Sequence, residues 1–136
     1  MSRLIPICFL SISFFFVTEL QAQATFPHSE GERIKYDAYI EMPKAYISGV
    51  CVLKREGGLI KGTLFNEFGI TAFDFTYSPE RGKVKLQHVM KQMDKWYIRR
   101  VLRRDLARLM TRLQQDKTVY YNERRKITYQ LNDSPE

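Results

Sequence analysis

The stretch ISGVCVLKREGGLIKGTLFNEFGITAFDFTY, residues 47–77, decides the fold class of this chain. Apolar and polar residues alternate through most of it, which is the period of a half-buried β-strand. Gly57 with Gly58, and then the NEFG segment at 66–69, interrupt the alternation with residues typical of hairpin turns. The stretch therefore predicts consecutive antiparallel strands that are joined by short turns.

The alternating pattern continues on both sides of this stretch. Before it, Ile34, Tyr36, Ala38 and Ile40 alternate with polar residues and predict a first strand. After it, residues 83–89 predict a fifth strand, and VYYNERRKITYQL at 119–131 predicts one or two closing strands. The chain is therefore expected to form six to seven strands in one antiparallel sheet.

Between the fifth strand and the closing strands the period changes to that of a helix. KWYIRRVLRRDLARLMTRLQQ, residues 95–115, contains neither Gly nor Pro, and Asp94 before it is predicted to be the N-cap. Its apolar residues follow the spacing of one helical face: Ile98, Leu102, Leu106, Leu109 and Leu113. An apolar helix stripe and an apolar sheet face bury each other. The predicted fold class is α+β, a curved antiparallel sheet covered by one long amphipathic helix.

The N-terminus has the pattern of a cleavable signal peptide. Arg3 precedes an apolar run at 4–17, which is too short for a membrane span, and Ala22 and Ala24 give a small-x-small cleavage site. We therefore expect export with cleavage after Ala24. The predicted organisation is a signal peptide at 1–24, a flexible segment at 25–32, one sheet–helix domain at 33–131 and a disordered tail at 132–136.

Charge and cysteine content narrow the function classes. The net charge is +7, and it stays +7 after removal of the leader because Arg3 and Glu19 cancel. A basic exported protein is expected to meet anionic lipid surfaces rather than nucleic acid. Cys51 is the only cysteine after cleavage, so neither an internal disulfide nor a cysteine metal site is expected, and no cofactor is predicted.

Candidate catalytic residues are few, and we predict a protein without enzymatic activity. His28 lies in the predicted flexible segment, and His88 shares a predicted strand face with apolar residues. Cys51 has the alternation of a small buried hydrophobic residue. Glu67 and Asp74 flank a turn and form the one pair that resembles an acid/base arrangement. Asp74, however, alternates with two phenylalanines and is expected to face solvent.

Arginines dominate the polar side of the predicted helix. Asp105 is the only acid among them. Such a stripe is usually a solvated face, and the charge imbalance makes contact with an anionic surface the functional alternative. The arginines predicted to make that contact are Arg100, Arg103, Arg104, Arg108 and Arg112.

The chain resembles the superfamily of periplasmic lipoprotein carriers and outer-membrane lipoprotein receptors over residues 33–131. The resemblance rests on the strand that starts near Gly49, the Gly57-Gly58 hairpin, the NEFG turn, the FDF strand at 73–75 and the helix WYIRRVLRRDLARLM. It implies a half-open β-barrel closed by a helical lid, with an apolar cavity for acyl chains. The chain is shorter than typical carriers, and no segment corresponds to lipoprotein hand-over, so the resemblance implies the fold more than the trafficking role.

The predicted ligand-binding cleft lies between the sheet and the helix, and its expected partners are lipid acyl chains or a lipidated protein. The residues predicted to line it are Tyr36, Ile40, Val50, Val52, Phe73, Phe75, Tyr77, Ile98, Leu102, Leu106 and Leu109. The sequence leaves two alternatives open: an envelope interaction or scaffold domain whose core is filled, and a small hydrolase that uses Glu67 and Asp74. The oligomeric state also stays open.

Overall fold

A computed structural model describes residues 26–134, and the predicted signal peptide lies outside the described residues. Seven antiparallel strands form one curled half-barrel sheet with a single α-helix, as the sequence predicts. The elements are β1 (Arg33–Glu41), β2 (Tyr46–Glu56), β3 (Leu59–Asn66), β4 (Thr71–Ser78), β5 (Lys83–Val89), a 3-10 turn (Lys91–Met93), α1 (Trp96–Gln114), β6 (Val119–Asn122) and β7 (Ile127–Asp133).

The order of strands across the sheet is β5-β4-β3-β2-β1-β7-β6. The first five strands form a meander, and the closing hairpin of β6 and β7 then pairs with the free side of β1. Helix α1 joins the two parts and contacts both edge strands, β5 and β6. The helix therefore spans the sheet from one edge to the other. We call the helix-covered face of the sheet the inner face and the opposite one the outer face.

The inner face is the hydrophobic core of the protein. Strand alternation places Tyr36, Ala38 and Ile40 on it, and the helix adds Leu106 and Leu109 from above. Other fully buried side chains are Leu53, Ile60, Phe73, Phe75 and Tyr77 of the inner face and Met110 and Leu113 of the helix. Burial of this many large apolar side chains is the main favourable contribution to the stability of the domain.

The prediction that Val50 and Val52 share a face with Tyr36 and Ile40 is wrong. Tyr36 pairs with Cys51, and directly paired residues of antiparallel strands point to the same face. Cys51 and Leu53 are therefore buried on the inner face, while Val50 and Val52 are half-buried on the outer face. The alternation is interrupted at residues 42–45, so the sequence does not determine the register between β1 and β2. A shift of one residue in this register exchanges the two faces of the strand.

Two β-bulges change the alternation in β4 and β5. Leu64 pairs with Phe73 but Phe65 pairs with Thr71, so Ala72 is an extra residue in β4. In β5 the extra residue is Gln87. The second bulge turns His88 to the outer face, where it pairs with Asp74 and is exposed, instead of lying beside the core as the alternation predicted.

The N-terminal segment is docked on the sheet rather than flexible. Phe26 is 2% exposed and packs with the core. The Gly31 N–H donates to the Arg55 carbonyl at 2.7 Å, and the Arg55 N–H donates to the Glu32 carbonyl at 2.9 Å. These contacts extend the sheet ahead of β1, so the prediction of a flexible segment at 25–32 is wrong for residues 26–32.

The predicted disordered tail is also ordered up to residue 134. Asn132 and Asp133 belong to β7 and pair with Asp37 and Tyr36 of β1. The Ser134 N–H donates to the Lys35 carbonyl at 3.1 Å. Polar residues can complete a strand because the ladder uses backbone groups, which the polarity of the side chains does not reveal.

The docked N-terminal segment gives a prediction of pH dependence. The Glu32 carboxylate accepts the N–H groups of Ser29 at 3.1 Å and His28 at 2.8 Å, and these bonds lower its pKa from the ordinary 4.5. A lowered folded-state pKa stabilises the protein above pH 4.5, and the contribution disappears as the pH falls through the folded value. Glu32→Gln should therefore lower the Tm by a few degrees at pH 7.

The same substitution should have a smaller effect on the Tm at pH 3 than at pH 7, because the stabilisation declines as the pH falls below the ordinary value of 4.5. Thermal unfolding followed by circular dichroism at both pH values tests this, with Glu67→Gln in an exposed turn as the matched control. An equal Tm difference at pH 7 and pH 3 would contradict the assignment.

Candidate functional site

The centre of the interface between sheet and helix is filled. The only space among Phe73, Phe75, Leu106, Leu109 and Met110 in this part of the structure is about 10 Å³. That is roughly the volume needed for one water molecule. The Tyr77 hydroxyl links the sheet to the C-terminal end of the helix, because it donates to Gln114 Oε1 at 3.0 Å. No ligand can enter here without moving the helix.

An apolar groove lies at one end of the same interface, under the N-terminal half of α1. Its volume is about 380 Å³, within the range of small-molecule binding sites. We call it the apolar groove, and its lining residues are Ile40, Met42, Ala45, Ile47, Met93, Tyr97, Ile98, Val101, Leu102, Arg125, Ile127 and Tyr129. Arg125 is the only charged residue in this lining.

Three parts of the chain make the walls of the apolar groove. The end of β1, the start of β2 and the connection between them form the first wall. In this connection the Met42 N–H donates to the Ala45 carbonyl at 2.8 Å. The start of α1 forms the second, with Ile98, Val101 and Leu102 on one side of the helix at spacings of three and four residues. The hairpin of β6 and β7 forms the third.

The start of α1 differs from the prediction in one detail. The N-cap is Lys95 in an extended conformation, and no side chain caps the helix. The Asp94 carboxylate instead accepts a hydrogen bond from Arg99 Nε at 2.6 Å, within an ion pair. Trp96 and Tyr97 open the helix with their rings in edge contact at 5.7 Å, and both are largely exposed beside the apolar groove.

The residues predicted to line the cleft fall into three groups. Ile40, Ile98 and Leu102 line the apolar groove. Val50 and Val52 lie on the outer face, away from the helix. The others are part of the filled core: Tyr36, Phe73, Phe75, Tyr77, Leu106 and Leu109.

Several groove residues were absent from the sequence prediction. Met42 and Ala45 lie in the connection after β1, where no periodic pattern identifies an inward-facing side chain. Val101 lies three residues after Ile98, and its helical spacing was a usable signal. Ile127 and Tyr129 alternate in β7 and also had one, but only the pairing of β7 with β1 brings them beside the helix.

The arginines predicted to contact an anionic surface are all exposed along α1, but they differ in their partners. Arg108 Nη1 donates to the Tyr120 hydroxyl at 3.1 Å, and the Arg112 guanidinium lies 5.6 Å from the centre of the Tyr120 ring. Within residues 26–134, no ion pair engages Arg100, Arg103 or Arg104. These last arginines are therefore the most accessible to an external anion.

Asp105 is a buried carboxylate that the sequence prediction missed. It is 2% exposed, although the residues around it in sequence are mostly arginines. Asp105 Oδ2 accepts the Tyr129 hydroxyl at 2.6 Å, and both carboxylate oxygens lie 3.0 Å from Asn122 Nδ2, which donates to them. Burial, followed by the hydrogen bond to Asp105, raises the pKa of Tyr129 above its ordinary value. Helix α1 is thus fixed to the β6–β7 hairpin by polar contacts.

The Asp105 contacts continue into the turn that bears Arg125. Asn122 donates to Asp105 with its amide nitrogen, and its amide oxygen accepts the Arg125 N–H at 3.1 Å. Lys126, the next residue, has a left-handed backbone with φ of 58°. The backbone of the turn at 123–126 is therefore held against the helix, and the Arg125 side chain extends from it to the apolar groove.

The candidate catalytic residues do not come together. Burial raises the pKa of the Cys51 thiol to about 12, which keeps it protonated and unreactive at neutral pH. Glu67 borders an outer-face depression of about 600 Å³ whose lining does not include Asp74. Asp74 belongs to β4, which lies between β3 and β5, and it pairs with Thr63 on one side and His88 on the other. No cluster of His, Cys, Asp and Glu side chains suited to a metal ion occurs among the described residues.

Within residues 26–134, the structure contains no helix with the length and hydropathy of a membrane span. Comparisons of the chain with protein-family models, with curated proteins and with solved structures found no match.

Proposed function

We propose that this protein binds the acyl chain of a lipid in the apolar groove, as an exported, non-enzymatic lipid-binding or carrier-like protein of the Gram-negative periplasm. The observation that carries the proposal is the groove itself, about 380 Å³ of space with an apolar lining and one charged rim residue, Arg125. Each methylene group that leaves water for such a surface contributes about 0.8 kcal/mol. The filled core beside the groove stabilises the fold without a ligand.

The exposed arginines of α1 support a second part of the proposal, which is contact with an anionic membrane surface. Arg100, Arg103 and Arg104 follow the first turn of the helix, next to the exposed rings of Trp96 and Tyr97. Aromatic and basic residues together favour the headgroup region of a membrane.

The first test is to fill the apolar groove. Ile47→Trp places a large ring into the groove from β2, and we expect it to weaken binding of a saturated fatty acid at least about 10-fold, since the lost burial exceeds two methylene groups. The matched control is Val52→Trp, on the same strand but on the outer face. Isothermal titration calorimetry measures both affinities.

The two variants distinguish the groove from non-specific binding. Equal affinities of both variants and the wild type would place any lipid binding outside the groove. A wild-type protein that takes up no fatty acid would overturn the proposal itself.

A specific observation favours the alternative of an envelope interaction domain. The interface is filled at its centre, and Phe68 and Ile70 are exposed at the β3–β4 turn, outside the groove lining. This alternative predicts a stable protein partner in cross-linking experiments that is lost when Arg100, Arg104 and Arg108 are changed to Glu. Lipid in the purified protein, detected by mass spectrometry, favours the lipid-binding proposal instead.

A further inference from the structure

We infer that the apolar groove is a site for one single-chain amphiphile with an anionic head, of which Arg125 is the head-group ligand. The inference rests on the proposed function and makes it more specific, because it assigns the number of chains, the approximate chain length and the charge of the ligand.

The volume of the apolar groove limits the ligand to one chain. A methylene group is about as large as a water molecule, whose share of liquid volume is about 30 Å³. The groove of about 380 Å³ therefore holds roughly 12 such groups. That is one medium-length acyl chain, since two chains of a diacyl lipid would need about twice the space. The filled core beyond Leu106 stops a longer chain from going deeper.

The charge at the rim selects the head. Arg125 is the only charged residue of the groove lining, and no ion pair engages it within residues 26–134. Around it, the turn Glu123–Lys126 carries three basic residues and one acid, so the local field also favours an anion. Of the acids on the helix side, Asp94 is paired with Arg99, and Asp105 is hydrogen-bonded to Tyr129 and Asn122. A guanidinium beside apolar walls can donate two hydrogen bonds to one carboxylate or phosphate.

The backbone at Arg125 is held by residues outside the groove lining. The Asn122 side chain bonds both the Arg125 N–H and the buried carboxylate of Asp105. Asp105 also holds Tyr129, which lines the apolar groove. The same polar cluster thus places the rim charge and one wall, which gives a physical reason for a carboxylate in an otherwise apolar interface. Asp105 and Asn122 are positioning residues.

The inference is tested by ligands that share a chain and differ in the head. Isothermal titration calorimetry at pH 8 compares dodecanoate, dodecyl phosphate and the uncharged dodecanol on the wild type, Arg125→Gln and Arg124→Gln. Arg124 lies in the same turn, outside the groove lining, and is the matched control. We expect Arg125→Gln to weaken dodecanoate and dodecyl phosphate about 10-fold, to leave dodecanol unchanged, and Arg124→Gln to change none of them.

Chain number and chain length are tested on the wild type. From octanoate to dodecanoate the affinity should rise about 4-fold per methylene group and then level off, because the groove is full. Lysophosphatidylglycerol with one 12-carbon chain should bind, and its diacyl form should not compete with it. Comparison with dodecanoate then shows whether a phosphate ester or a carboxylate is the preferred head, and either result agrees with the inference.

Different outcomes overturn the inference and the proposed function. If dodecanol binds the wild type as tightly as dodecanoate, or if Arg125→Gln leaves dodecanoate unchanged, the groove does not select an anionic head, and lipid binding in the groove still stands. If diacyl lipid displaces the single-chain ligand, the limit of one chain is wrong. If no ligand binds the wild type, both proposals fail.

Discussion

Replacement of Asp105 by alanine should lower the free energy of unfolding by about 3 kcal/mol, one of the largest effects of any single side chain in this protein. The substitution removes the acceptor for the Tyr129 hydroxyl and for the Asn122 amide, and Tyr129 is 2% exposed. A buried donor that loses its partner costs about 1–3 kcal/mol, and the shortened side chain also leaves a cavity under α1.

Urea unfolding followed by circular dichroism measures the effect. The control is Glu67→Ala, which removes the same charge from an exposed turn and should change the free energy by less than about 0.5 kcal/mol. Asp105→Asn keeps one oxygen acceptor but turns an amide toward the Asn122 amide, so its loss should lie between the two. Equal stability of Asp105→Ala and the control would mean that α1 is not fixed through Asp105.

The second large effect is expected at Gly49. A Cβ atom at this position would lie 1.8 Å from the Phe65 carbonyl oxygen and 2.9 Å from Asn66 Cα. Both are backbone atoms of the neighbouring strand β3, next to the irregular pairing at Leu64 and Phe65, so no side-chain rotation can relieve the clash. Gly49→Ala must push β2 and β3 apart, and it should cost about 3 kcal/mol.

The neighbouring substitution Ser48→Ala separates this effect from a general one of β2. Ser48 is half-buried and precedes Gly49 in the strand, and its change to alanine adds no atom. Urea unfolding should therefore show a loss below about 1 kcal/mol for Ser48→Ala. A similar small loss for Gly49→Ala would show that the strands do not approach as closely as the structure has them.

Periodicity predicted the main elements of the fold because each has one buried face. The apolar stripe from Ile98 to Leu113 and the alternation in β1 both arise from contact with the same core. The phenylalanines at 65–75 show that residue type alone does not determine which side chains are buried. Phe73 and Phe75 are buried, but Phe65 faces the outer side and Phe68 is 79% exposed at the tip of the turn.

Features that depend on pairing between distant residues could not be predicted from the sequence. The bulges at Ala72 and Gln87 and the register that moves Val50 and Val52 outward are fixed only when neighbouring strands pair. The docking of residues 26–32 depends likewise on the β2–β3 hairpin, where the Gly57 N–H donates to the Glu30 carboxylate.

The sequence predicted only part of the candidate site, because the rest is formed by segments that are distant in the sequence. Ile98 and Leu102 follow the helical period and do line the apolar groove, but the groove is open only because the chain at 42–45 and the β6–β7 hairpin stand beside the helix. The sequence around Asp105 predicts an exposed side chain, since an acid among arginines resembles a surface residue, but Asp105 is buried. Its partners are 17 and 24 residues away in the sequence, at Asn122 and Tyr129.

Methyl NMR shows whether an acyl chain occupies the apolar groove. The protein is labelled at the methyl groups of isoleucine, valine and methionine, and intermolecular NOEs to the chain protons of dodecanoate are recorded. We predict NOEs to Met42, Met93, Ile47, Ile98 and Val101, which line the groove. NOEs to Val50 and Val52 on the outer face, or none at saturating dodecanoate, would contradict occupancy of the groove.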